Sequence, residues 1–112
     1  MLTQKKVIDI LKKKNPYLKD NFGVKKIGLF GSFAKQNFRK YSDIDVCIVI
    51  KNLDKKIDET MGKIIGLTRM VDAKIEPIPY SVKEFKNPDD PLVYEIKKHG
   101  IEIKLPPHIL SK

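Results

Sequence analysis

Two short motifs in this chain carry residue types that act on phosphate. Gly31-Ser32 closes one apolar run and Asp43-Ile44-Asp45 opens another, with ten residues between Ser32 and Asp43. Side chains alternate along a strand. Asp43 and Asp45 therefore share one face, with Ile44 and Val46 on the other. Two neighbouring carboxylates repel each other until a divalent cation sits between them. Mg²⁺ takes a few carboxylates and completes its shell with substrate phosphate oxygens. Gly31 has no Cβ, so its backbone can approach a phosphate closely. Ser32 adds a hydroxyl, and the turn that follows it aims N–H groups at the same place. The two motifs together read as a triphosphate cradle beside a metal site.

Two-metal phosphoryl transfer uses a third acid near the attacking hydroxyl. Asp72 is the first candidate, because it lies in the next expected strand, Val71–Glu76, which can pair beside Asp43–Ile50. Glu76, four residues on, has the same facing and is the second candidate. It lies roughly 13 Å along the strand from Asp72, too far to share a metal with it. Lys35 and Arg39 stand between the two motifs, where either could reach a triphosphate, and Ser42 is suited to bond the loop backbone. Gly31 alone would read as a turn and Asp43 alone as a strand-start cap. Their joint spacing, with an apolar strand on each side, favours chemistry.

The stretch GLFGSFAKQNFRKYSDIDVCIVI, residues 28–50, resembles the G-S…D-x-D signature of the DNA polymerase β-like nucleotidyltransferases. Within that superfamily it is most similar to the minimal nucleotidyltransferases, the MNT proteins often paired with a HEPN-domain partner. VDAKIEPIPYSVKEF and EIKKHGIEI extend the resemblance over most of the chain from Val24. It implies the polymerase β-like fold, of α/β (α+β) class, and an enzyme that uses two Mg²⁺ ions. It also implies transfer of AMP from ATP to a hydroxyl, as a protein adenylyltransferase. MNT antitoxins act in this way on a HEPN toxin, often at a tyrosine. Gly31, Ser32, Asp43 and Asp45 match the motif directly, and Asp72 matches the third carboxylate. On this reading the metal ligands are Asp43, Asp45 and Asp72, and the nucleotide contacts are Gly31, Ser32 and Lys35. The family usually has Gly where Gln36 stands, so the loop after Ser32 is expected to be stiffened or redirected.

The elements that position these residues follow from apolar spacing. Thr3 caps a basic first helix over 3–19, which Asn15-Pro16 is expected to interrupt. Val24–Phe30 reads as a strand, Ser32–Ala34 as a short helix and residues 36–41 as a loop. Asp43–Ile50 is the strongest strand signal, followed by a helix from Lys55 to Thr68. Val71–Glu76 alternates as a strand and is expected to halt at Pro77 and Pro79. Ser81 and Glu84 form a capping-box pattern. A helix opens at Pro91 and closes at Gly100, a position suited to the left-handed conformation. Ile101–Leu105 is a last strand. The expectation is a single domain, 1–112, with a catalytic core over 24–105 and a small mixed sheet whose helices pack mainly on one face.

Composition limits the function classes. The 112 residues suit one domain, and 41% hydrophobic with 33% charged residues suits a folded one. No apolar run approaches the roughly 20 residues of a membrane span. The Lys-rich start lacks the apolar stretch of a secretory signal. One cysteine, Cys47, allows neither an internal disulfide nor a cysteine-built zinc site, and it reads as a buried thiol. A cytoplasmic location is expected. Residues 1–40 hold eleven Lys/Arg against two acids, so the whole net charge of +9 arises there. Such a surface attracts nucleotides or an acidic partner. His99, beside Gly100, suits a helix C-terminus. Alternatives are a non-catalytic antitoxin that neutralises its partner by binding, and a small-molecule nucleotidyltransferase, which normally needs a longer chain. Nucleic acid is disfavoured as a partner, because aromatics are not interleaved with the basic residues. Homo- or hetero-oligomers are both left open.

Overall fold

The computed structural model describes residues 3–39, 42–51 and 57–104. Tyr41, Lys55, Leu105 and His108 lie outside the described residues. Helix α1 spans Gln4–Phe22, capped by the Thr3 hydroxyl, which accepts the Lys6 N–H. It runs through Pro16 without a break, contrary to the expected interruption. The stripe Val7, Leu11 and Leu18 stays buried on both sides of the proline. Pro16 itself is exposed, so the carbonyl it leaves without an N–H partner faces water. Packing outweighs a penalty of about 3 kcal/mol. The helix stops at Gly23, whose φ of 67° only glycine adopts freely.

Strand β1 (Val24–Phe30) leads through Gly31 into the short helix α2 (Ser32–Lys35). Strand β2 (Ile44–Ile50) pairs antiparallel with β1, and Asp43 lies just before it. A register shift between Val24 and Lys26 lets Val24 and Ile27 both reach the core. Helix α3 (Ile57–Val71) crosses to strand β3 (Ile75–Ser81), which pairs parallel with β2. Helices α4 (Val82–Phe85) and α5 (Pro91–His99) follow, then strand β4 (Ile101–Glu102) beside β1. The sheet order is β3-β2-β1-β4, a mixed sheet as expected.

Two expectations about β3 are corrected. The strand begins at Ile75, not Val71, and it continues through Pro77 and Pro79 instead of halting there. In a parallel strand alternate residues direct their backbone groups to opposite sides. The Lys74 carbonyl accepts the Ile44 N–H at 2.8 Å, so Lys74, Glu76 and Ile78 face β2. Pro77 and Pro79 have the opposite parity, and their missing N–H groups point to the open edge. Prolines are tolerated on such edges and blunt unwanted pairing.

Helices α1 and α3 cover one face of the sheet. There Val7, Leu11 and Ile64 meet Ile27, Leu29, Val46 and Ile48. Full burial of each such side chain contributes about 1.5–3 kcal/mol. The other face carries a smaller cluster, Phe30, Cys47, Val49 and Tyr80 under Val93 and Ile96 of α5. Two further expectations change here. Gly100 is extended (φ −75°, ψ 164°), not left-handed. A Cβ there would collide with the Ile96 carbonyl and lie 3.2 Å from that of Leu29, so close approach explains the glycine. Strand β4 covers only Ile101–Glu102 of the expected Ile101–Leu105.

Candidate active site

The two sequence motifs meet at one end of the sheet. Phe30 pairs with Asp45 across β1 and β2, so Gly31 emerges directly beside the Asp45 carboxylate. Gly31 has φ 72° and ψ −150°, a region open essentially to glycine alone. A Cβ at Gly31 would run into Asp45 Oδ2. The glycine is therefore fixed twice, by its backbone angle and by the carboxylate against it.

Helix α2 is held from several sides. Gln4 Nε2 donates to the carbonyls of Phe33 and Ala34, both at 3.0 Å. The Phe33 and Phe38 rings stack at 4.0 Å and pin the following loop to the core. Gln36 closes α2 with φ 60°, in the left-handed region. That angle accounts for the glycine usual in the family, and here the helix end keeps its shape with Gln. Ser42 Oγ accepts the Arg39 N–H at 2.7 Å, the loop bond expected of it. Sequence reasoning missed Gln4 and the Phe33–Phe38 stack, because neither has a local signature.

Asp45 faces the Cys47 and Val49 side of β2, while Ile44 and Val46 enter the opposite core. Burial pushes the Asp45 carboxyl above its ordinary value, and the carboxylates of Asp43 and Glu76 add to the rise. Glu76 reaches it because β2 and β3 pair Asp45 directly with Glu76. Arg69 of α3 holds Glu76 through a contact of 3.3 Å. Asp72 is placed elsewhere. It precedes β3, and its Oδ1 accepts the Lys74 N–H at 2.8 Å, closing the turn between α3 and β3. The structure thus brings Glu76, not Asp72, beside Asp45. The alternation that gave both the same facing fails because residues 72–74 form a turn.

Lys35, expected at a triphosphate, is ion-paired to Glu95 of α5. This contact, with Lys98 and His99 nearby, holds the Glu95 carboxyl below its usual value. Cys47 is buried as expected, and burial raises its thiol to about 12, so it stays protonated. Among the described residues no three acids, histidines or cysteines form a ready-made metal cage. The acids instead make an open edge of hard oxygen donors. That suits Mg²⁺, which keeps waters and substrate oxygens in its shell instead of demanding an all-protein site. Among the described residues no helix is long and apolar enough to cross a membrane.

Comparison with known proteins identifies the family and the fold. A family model described as nucleotidyltransferase domain matches residues 5–105. MJ1379 of Methanocaldococcus jannaschii, provisionally named a protein adenylyltransferase, is 33% identical over 89 residues. That match covers 79% of this chain and 87% of the relative. A chain from a toxin–antitoxin crystal structure with AMP-PNP superposes with a TM-score of 0.55 at 20% identity. It covers 95% of this chain and 76% of its own. A chain from a complex of tri-AMPylated Shewanella oneidensis HEPN toxin with MNT antitoxin gives a TM-score of 0.50 at 19% identity. There the coverage is 88% of this chain and 73% of the other. At these identities the two structures speak for the fold.

Proposed function

The chain belongs to the nucleotidyltransferase domain family, and from that premise we propose that it transfers AMP from ATP to a hydroxyl of a partner protein. The partner is a HEPN toxin, and the chain acts as its antitoxin. The observation that carries the reading is the pairing of Asp45 with Glu76 beside Gly31. The protein adenylyltransferase name of the relative and the AMPylated toxin in the related complex support the choice of AMP and of a protein acceptor.

Each residue has a part in this proposal. Gly31 lets the phosphates come against the backbone, and the Ser32 hydroxyl donates to a phosphate oxygen. Lys35 exchanges Glu95 for the triphosphate. Asp43, Asp45 and Glu76 would hold Mg²⁺, which when bound neutralises charge between the attacking and leaving oxygens. Glu76, the third carboxylate in place of Asp72, accepts the proton of the acceptor hydroxyl as the hydroxyl oxygen bonds to the α-phosphorus and the bond to the β-phosphate breaks, releasing pyrophosphate. The contact of Glu76 with Arg69 fixes the side chain. The reaction needs positioning and charge neutralisation more than covalent steps by the protein. A single domain over 1–112, with its catalytic core within 24–105, suffices for that chemistry.

The test supplies radiolabelled ATP and Mg²⁺ to the chain together with the protein encoded beside it. Mass spectrometry then locates the adduct. Label on a partner hydroxyl, lost with Asp45→Asn and Glu76→Gln, is the expected result. Bound ATP without any transfer to the partner would defeat the proposal.

A further inference from the structure

The face of the sheet that carries Asp45 also carries a basic groove, separate from the carboxylates. Two adjoining concavities, of about 300 and 350 Å³, share Lys26, Val49, Phe85 and Lys97 and so form one trough. Its floor is apolar, from Val49, Phe85 and Ile96, and its rim holds Lys25, Lys26, Lys86 and Lys97. All four lysines are exposed, and none forms an ion pair within the described residues. Glu102 is the sole acid lining the trough. Four exposed cations around an apolar floor make a positive, partly apolar surface complementary to an acidic partner.

We propose that this groove seats an acidic, partly apolar segment of a partner protein. Charge complementarity and the apolar floor choose the occupant. A single-stranded nucleic acid would need exposed rings on which bases stack. The trough is lined by one aromatic, Phe85, whereas stacking of successive bases needs several rings. The rim is also all lysine, without the planar fork of arginine that grips phosphate in two places. The groove lies along β2 from the candidate active site. Asp45, Cys47 and Val49 follow one another on the same face, and Val49 is about 13 Å from Asp45 by strand rise. A segment seated on the trough can therefore extend along the strand toward the carboxylates with a few residues. The inference rests on the proposed function in one respect, that the acceptor is a protein.

The experiment measures fluorescence anisotropy of a labelled peptide of alternating Glu and Leu, with the full chain. Lys26→Glu with Lys97→Glu should weaken binding at least roughly tenfold, because both rim charges are reversed. The control reverses the same number of charges on α1, as Lys12→Glu with Lys13→Glu, and should retain most of the affinity. Thermal unfolding establishes that both variants are folded; if the first is not, Lys26→Gln with Lys97→Gln replaces it. ATP binding by calorimetry should be equal in wild type and groove variants, which separates this surface from the nucleotide site. Equal losses in the groove and α1 variants would overturn the proposal by showing only general charge attraction. So would absence of peptide binding, or tighter binding of a uridine oligonucleotide of equal charge.

Discussion

Asp45 and Glu76 stand opposite each other on adjacent parallel strands, with Gly31 against the Asp45 carboxylate from the third side. The relationship depends on the backbone alone. The register of β2 and β3 puts the pair level, and the antiparallel pairing of Phe30 with Asp45 delivers the glycine. The arrangement concentrates negative charge, since Asp43 and Glu76 both act on the Asp45 carboxyl.

The two candidates for the third carboxylate should separate cleanly by mutation. Glu76→Gln should lower the transfer rate by about 10²-fold or more, as loss of a group acting in the transition state does, with little change in thermal stability. Asp72→Asn should keep activity within a few-fold. It should cost less than about 1 kcal/mol, the usual worth of one hydrogen bond, because the Asn Oδ1 still accepts the Lys74 N–H. Single-turnover kinetics and urea unfolding of both variants check this. The opposite pattern would restore Asp72 to the site.

The raised pKa of Asp45 has a defined sign. Its folded value lies above the unfolded one, so ionising Asp45 costs stability as pH rises through the folded value. Asp45→Asn should therefore raise Tm at neutral pH in EDTA. The gain should fade toward acid pH, below the unfolded carboxyl value, where the native Asp45 is protonated. Melting curves across that range, without metal, decide the matter. A loss of stability at neutral pH would mean that a cationic side chain holds the carboxylate.

Gln36 occupies a left-handed position that costs a non-glycine residue about 1–2 kcal/mol, part of which glycine returns as unfolded-state entropy. Gln36→Gly should stabilise the chain by roughly 0.5–1 kcal/mol. The α2 end keeps its Gln36 N–H to Ser32 carbonyl bond in either case. Denaturant titration measures it. A destabilised variant would show that the Gln side chain makes a contact worth more than the backbone strain.

Much of this arrangement was legible in the sequence where the signal was local. The Gly31-Ser32 and Asp43-x-Asp45 motifs, the strand at Val24–Phe30 and the Ser81–Glu84 capping box all depend on neighbours in sequence, and the structure forms them there. The errors came where tertiary position overrides a local rule. Pro16 breaks an isolated helix, but here it lies on the exposed side of α1 while Leu11 and Leu18 hold the other side down. Pro77 and Pro79 end a central strand, but on an edge strand their parity makes them harmless. The alternation of residues 71–76 suggested a strand, but the Asp72 turn delays its start to Ile75. No local pattern announces that Gln4 reaches across to α2, or that Glu95 meets Lys35, since these pairs are brought together only by the finished fold.

The Lys35–Glu95 ion pair predicts a competition with nucleotide. Lys35 follows Ser32 on the same short helix, and its ammonium group is held by α5. If it contacts the triphosphate, each binding event must first release it from Glu95. Both side chains are partly exposed, so water screens the pair and the effect is modest. Glu95→Gln should lower the KM for ATP by roughly two- to fivefold, with kcat unchanged, because the freed lysine needs no release. Lys35→Met should raise the KM, and combining it with Glu95→Gln should add nothing further. Since the folded Glu95 carboxyl lies below its usual value, the pair persists at neutral pH and is lost as pH falls through that lowered value. The difference in KM between wild type and Glu95→Gln should shrink over the same range. Steady-state kinetics at several pH values provide the test. A KM that rises in Glu95→Gln would instead make Glu95 the group that positions Lys35 for the nucleotide.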